Sequence, residues 1–226
     1  MVAAPTDSVA APADLLRQRL TQGRGRLMVL AATTSVWLMD LLLALHLEQD
    51  QQIEPAWRAP VIAIEQLGTL LFVVITVGLV VALFRGSHWQ LFRWSLAYLS
   101  FSVVQVIANV LGMVFTAHHG HGSGLSSLWD VAAVYMQSVL VFMFIYIFLD
   151  VSTPGGAFVW PSRDDEAPPT PHLIDYLFIS LNVNSTYGPT SEALMSRSAK
   201  LVMSLQVLLA MLMLTVLIAR AVSATS

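Results

Sequence analysis

The architecture turns on Pro171–Ala221, PHLIDYLFISLNVNSTYGPTSEALMSRSAKLVMSLQVLLAMLMLTVLIARA. It falls into parts. A short amphipathic segment, His172 to Val183, runs into a polar knot, Asn184-Ser185-Thr186-Tyr187-Gly188-Pro189-Thr190. A charged hinge with Arg197 and Lys200 follows, and then an apolar helix, Leu201 to Ala219, closed by Arg220. Short helix, polar loop, long helix is the order of a re-entrant element followed by a spanning helix. Irregular backbone at membrane depth is tolerated only where protein buries it or a water-filled cavity receives it. The polar run Ser180, Asn182, Asn184, Ser185, Thr186 therefore either lines such a place or forms an ordinary loop after a surface helix.

Composition sets the class around this stretch. Of 226 residues, 56% are hydrophobic and 11% charged, with a mean hydropathy of +0.70; a soluble domain has about 25% charged residues. The chain reads as an all-α integral membrane protein, multi-pass, with the lipid bilayer as its first partner and the cell membrane as its expected location. The absence of cysteine excludes disulfides and thiolate metal sites. A net charge of −3 with no basic stripe gives no sign of nucleic acid.

Residues 1–26 form a polar N-terminal leader, Ala/Pro-rich over Ala3–Ala13. The first apolar run, Leu27 to Leu47, is 21 residues long and leads into Glu48-Gln49-Asp50, so it reads as an uncleaved span. Four more runs approach the roughly 20 apolar residues that a bilayer requires: Val61–Phe84, Trp94–Ala117, Val131–Leu149 and Leu201–Ala219. Residues 27–117 are thus a three-helix membrane region. About five spanning helices are expected, plus one re-entrant, pore-type short helix before the last. The loop 151–171 holds Pro154-Gly155-Gly156, an acidic Arg163-Asp164-Asp165-Glu166 run and Pro168-Pro169-Thr170-Pro171. Thr170 is the expected cap of the short helix and Pro171 its first residue.

The order of elements in 131–221 resembles the pore module of bacterial potassium channels, where the filter T-V-G-Y-G-D sits between a pore helix and an inner helix. Asp175-Tyr176-Leu177-Phe178-Ile179-Ser180-Leu181 is similar to the pore helix, with Ser180, Asn182 and Asn184 as its polar positions. Ala199 through Arg220 is similar to the inner helix, with Ala210 at the glycine hinge, and Val131–Asp150 takes the place of the outer helix. The resemblance makes 151–171 a turret-like loop and implies a homotetramer with a monovalent cation as permeant ion. It implies no cofactor and no metal site.

The filter departs from that family. Without gaps, Thr186-Tyr187-Gly188-Pro189-Thr190-Ser191 replaces T-V-G-Y-G-D and keeps only the first threonine and first glycine. Sliding by one position matches Tyr187-Gly188 to the family's tyrosine-glycine and loses the first glycine. A potassium filter turns successive backbone carbonyls toward the ion, an alternation that relies on glycine. Pro189 fixes its own φ and restricts Gly188. The expected site is therefore a wider polar pore lined by Thr186, Thr190 and Ser191, weakly selective among cations, or a sealed one.

Other residues carry weaker chemistry. Asp40, in the second half of the first span, reads as an ion or proton site or as a helix–helix hydrogen bond; Glu65 reads as interfacial. Asp130 and Asp150 bracket the fourth span and read as interfacial. Gln105 and Asn109 share one face of the third span, as interhelical polar glue. His118, His119 and His121 lack a supporting carboxylate for a metal. No hydrolase elbow, metalloprotease helix, nucleotide loop or arginine-repeat voltage sensor is present, so no enzyme is expected. Two readings from other classes stand beside the pore: a non-conducting membrane scaffold on a channel-like fold, and a proton-linked transporter using Asp40.

Charge and resemblance disagree on orientation. With five spans and an inside N-terminus, the inside holds Arg17, Arg19, Arg24, Arg26, Arg85, Arg93, Arg163, Arg197 and Lys200, and the outside Arg58 and Arg220. That puts the polar loop on the cytoplasmic side, whereas potassium channels carry their filter outside.

Overall fold

The computed structural model describes residues 24–47, 55–85, 88–116, 124–160, 171–185, 187, 193–194 and 196–223. Its helices are α1 (Arg24–Leu47), α2 (Pro55–Arg85), α3 (His88–Thr116), α4 (Gly124–Ser152), α5 (Leu173–Asn184) and α6 (Arg197–Ser223). Two two-residue strands, β1 (Phe158–Val159) and β2 (Ala193–Leu194), pair antiparallel, Phe158 opposite Leu194 and Val159 opposite Ala193. The protein is an all-α membrane protein. Four helices hold stretches long and apolar enough to cross a bilayer: Gly68–Arg85, Trp89–Leu111, Val131–Ser152 and Arg197–Ala219. The expected fifth span, Leu27–Leu47, is helical throughout, but its described apolar stretch, Gly25–Leu38, is shorter than a crossing.

The helices outrun the apolar stretches that signalled them. Arg197 and Lys200 lie in the first turn of α6, not in a hinge, and Arg93 lies within α3. Proline at position 55 opens α2, where its missing N–H costs nothing. α5 begins at Leu173 rather than Pro171, because the Asp175 carboxylate reaches back to accept from the His172 N–H at 2.6 Å. That contact places negative charge at the positive end of the helix dipole. Thr170, the expected cap, is outside the described residues.

α4 is the centre. Residues 137–139 and 141–147 are all buried, the pattern of a helix enclosed on every side. It packs against α1, α3, α5 and α6, while α2 leans mainly on α3. Phe72 of α2 stacks on Tyr98 and Phe101, with centroids 5.7 and 5.8 Å away. Close approach of α2 and α3 needs a glycine: a Cβ at Gly78 would sit 2.5 Å from the Trp94 ring.

These contacts sort the helix termini into two ends. Phe92 near the start of α3 meets Phe148 near the end of α4, 5.4 Å between centroids, and Arg26 in α1 lies 6.0 Å from the Phe84 ring at the end of α2. The end of α4 also meets the start of α5, and β1 meets β2 just ahead of α6. The starts of α1, α3, α5 and α6 therefore share one end, end A, with the terminations of α2 and α4. The opposite end B holds the others, except the end of α5.

Candidate functional site

The site grows from α5, whose residues Tyr176, Ile179, Ser180, Val183 and Asn184 are buried. This i, i+3, i+4, i+7, i+8 spacing makes one helical face, and two of the five residues are polar. At end A, the Tyr176 hydroxyl donates to Asp150 Oδ2 (2.5 Å). Deeper, Ser180 Oγ donates to the Val139 carbonyl (2.7 Å), and Asn184 Nδ2 donates to the Tyr135 carbonyl (3.4 Å). Tyr135 is fifteen residues before Asp150 along α4, or about 22 Å at 1.5 Å per residue. That is about two-thirds of the Val131–Ser152 stretch, about 33 Å by the same rise. By Ala193, paired to Val159, the chain is back at end A. α5 is thus a half-crossing that leaves and regains one end.

Five side chains close a buried amide–hydroxyl network around this helix. Gln206 of α6, fully buried, donates from Nε2 to the Ser180 carbonyl (3.0 Å), Ser180 Oγ (2.9 Å) and Asn184 Oδ1 (3.3 Å). Its Oε1 accepts from the Tyr146 hydroxyl (2.5 Å), and Ser138 Oγ donates to Asn184 Oδ1 (3.4 Å). Polar groups in an apolar interior are expensive unless paired, so the network fixes α5 and α6 in one register against α4. Among the described residues no charged group takes part. Nearer end B, Asn109 Nδ2 donates to Gln137 Oε1 (2.9 Å), the α3–α4 link expected of Asn109.

A second cluster anchors α5 at end A. Asp150, expected to be interfacial, is buried, and four donors converge on its carboxylate. Oδ1 accepts from the Ala157 N–H (2.7 Å) and the Phe158 N–H (3.2 Å), and Oδ2 from Trp160 Nε1 (3.4 Å) and Tyr176. A carboxylate at a helix C-terminus opposes the helix dipole, and these donors offset that. The turn that delivers them needs Gly155 and Gly156 at φ +80° and +85°; a Cβ on Gly156 would fall 3.0 Å from Asp150 Oδ1. Tyr176 packs edge to face against Phe158 and Trp160, with centroids 6.3 and 5.3 Å away. Residues 151–160 are thus folded around Asp150.

Of the expected site residues, the structure brings Ser180 and Asn184 together in the network. Asn182 is half-buried, and its Nδ2 has no hydrogen-bond partner among the described residues. Tyr187 is 82% exposed, with its N–H on the Asn182 carbonyl (3.0 Å), and Ser185 is exposed with Oγ 3.2 Å from the Tyr135 hydroxyl. Thr186, Gly188, Pro189, Thr190 and Ser191 are outside the described residues. Ala210 is buried at 2% exposure and faces the core of its own chain, while Ser204 faces outward. Asp40 and Glu65 fall in helical backbone whose side chains are not among those described, and the histidine cluster is also outside them. Among the described residues no group of three His, Cys, Asp or Glu could hold a metal.

Gln206 and Asp150 are the residues that sequence reasoning missed. A lone amide amid apolar residues 201–219 was itself a signal, as was an aspartate followed by Gly155-Gly156 and Trp160. Compared with known proteins, the chain matches no family model, no curated protein and no solved structure.

Proposed function

We propose that residues 131–221 form an ion-channel-like pore module, assembled from several copies of the chain, probing cations with weak selectivity. The observation that carries this reading is the half-crossing of α5. Its C-terminal residues Asn184 and Ser185 lie beside Tyr135, inside the apolar stretch of α4, and Ser185 and Tyr187 are exposed on the single chain. Exposed polar backbone at that depth requires protein or water beside it, and further copies of the chain supply both. The C-terminal end of α5 carries about half a negative charge, which favours a cation there.

The outer face of α6 agrees with assembly. Leu201, Ser204, Leu208, Met211, Thr215, Ile218 and Val222 are all exposed and recur at three and four residues, the spacing of a helix-packing seam. The hydroxyls of Ser204 and Thr215 are satisfied by their own helix, on Lys200 O (2.9 Å) and Met211 O (2.8 Å), so the seam can be buried without stranding them. Following the resemblance, the assembly would be a tetramer.

Cation flux into liposomes containing the purified protein tests the proposal. Wild type should carry monovalent cations with little discrimination, because Pro189 disrupts a carbonyl ladder. Thr190→Val removes a hydroxyl at nearly constant volume and should change the flux. Replacing Tyr187–Ser191 by V-G-Y-G-D should raise potassium selectivity. If neither wild type nor the replacement conducts while both stay oligomeric, the pore reading fails and a non-conducting scaffold takes its place.

A further inference from the structure

The distribution of charge between the two ends of the bundle points to a surface. End A collects Arg26 at the start of α1, Arg85 at the end of α2, Arg93 in α3, and Arg197 and Lys200 in the first turn of α6. Arg85, Arg93, Arg197 and Lys200 are exposed, and Arg26 is half-buried over Phe84. Trp89, 60% exposed, stands among them and stacks on Phe92. The described carboxylates at this end are already engaged: Asp150 by its four donors and Asp175 by the His172 N–H. End B has Arg58 and Arg220 as its helical cations, and Glu65 and Asp130 belong to helices that also reach this end.

We propose that end A is an interaction surface for anionic lipid headgroups of the cytoplasmic leaflet, so that α5 dips into the membrane from the cytoplasmic side. Two physical arguments converge. Basic residues flanking spans stay on the cytoplasmic side, and acidic ones such as Asp164, Asp165, Glu166 and Glu192 contribute little to that choice. The cytoplasmic leaflet also presents a negative surface potential that attracts clustered Lys and Arg within a Debye length. Exposed tryptophan at the same level is the usual interface anchor. The helix arrangement makes orientation a joint property: the end that holds the cations is the one that α5 leaves and regains. Relative to a potassium channel's filter, the half-crossing is inverted. The inference does not depend on conduction, since a silent scaffold would bear the same charges.

The experiment exploits the absence of native cysteine. Ser198→Cys, exposed at end A, and Ala221→Cys, exposed at end B, are each treated with a membrane-impermeant thiol reagent in sealed right-side-out and in inverted vesicles. Ser198→Cys should react at least about tenfold faster in inverted vesicles, and Ala221→Cys in right-side-out ones. The opposite pattern, or equal labelling from both sides, overturns the proposal. The lipid arm compares phosphatidylglycerol with phosphatidylethanolamine retained on purified protein. Neutralising Arg85, Arg93, Arg197 and Lys200 to Gln should lower the retained ratio at least about tenfold. Arg58→Gln with Arg220→Gln should leave it unchanged. Equal retention by the two variants refutes the lipid surface. Should the fourfold variant not fold, single Arg93→Gln and Arg197→Gln variants decide, each expected to give a smaller drop.

Discussion

Replacing Gln206 by leucine tests whether the buried network, rather than apolar packing alone, seats α5. The substitution keeps the volume nearly constant and removes the two N–H groups of Nε2, shared among three acceptors on Ser180 and Asn184, and the acceptor of the Tyr146 hydroxyl. Asn184 Oδ1 keeps Ser138 and Ser180 Oγ keeps the Val139 carbonyl, so these two are not stranded. The Tyr146 hydroxyl, on a residue with 0% exposure, loses its acceptor. A buried group left unpaired costs about 1–3 kcal/mol, whereas interhelical hydrogen bonds in membranes average about 0.6 kcal/mol and reach about 1.7. The stranded hydroxyl is the larger effect, and a net loss of about 2–3 kcal/mol is expected.

The partner change separates this from mere cavity or shape effects. Tyr146→Phe removes the hydroxyl and strands Gln206 Oε1, at about 1–2 kcal/mol. The double variant strands neither group, so it should cost less than the sum of the singles by about 1–2 kcal/mol. Equilibrium unfolding in mixed micelles, titrated with a denaturing detergent and followed by near-UV circular dichroism, measures all four proteins. Additivity within about 0.5 kcal/mol would refute the reasoning, because it would mean that the two side chains do not depend on each other.

Asp150→Ala leaves four donors without an acceptor and should destabilise the protein by about 3 kcal/mol or more, with faster proteolysis between residues 153 and 171 as the local signature. Gly156→Ala should act in the same place at about 1–2 kcal/mol, from its positive φ, read by the same digestion. Gly78→Ala pushes a methyl group into the Trp94 ring and should cost about 1–3 kcal/mol, visible as a lower melting temperature and altered tryptophan emission. Single cysteines at Ser204, Leu208, Met211 and Thr215 should cross-link copies of the chain in native membranes, while those at Met203, Ala210 and Met213 should not. Uniform cross-linking, or none, would remove the α6 seam.

The membrane class and most helices were legible because apolar run length is a one-dimensional signal. Val131–Leu149 and Leu201–Ala219 needed no tertiary knowledge, and α4 and α6 contain them. What was not legible depends on who faces whom. Asp150 looks interfacial from its position at the end of a span, and only the fold of Ala157–Trp160 back over it reveals a buried carboxylate. Ala210 stands at the position of a hinge by resemblance, and its burial in the core of its own chain does not follow from that position. Asn184 was recognisable as polar at depth, whereas its partner Gln206 lies 22 residues on and Ser138 46 residues back. Sequence spacing cannot pair residues at such separations.

The two clusters together hold the chain on either side of the polar loop. Asn184 and Ser185 are held by Ser138, Gln206 and Tyr135, and Ala193–Leu194 are held by β1. β1 in turn is positioned by Asp150, which also grips Tyr176 at the top of α5. One carboxylate thus sets both the start of the half-crossing and the strand to which the chain returns. The inner post answers to the uncharged network on Gln206. The described contacts of both posts involve no side chain within 186–192. Loss of Asp150 moves the outer post, and loss of Gln206 frees the inner one. On the pore reading, either should alter flux more than Thr190→Val does, though neither residue need touch an ion. Equal flux in Asp150→Ala, Gln206→Leu and wild type, with the variants folded, would detach the frame from conduction.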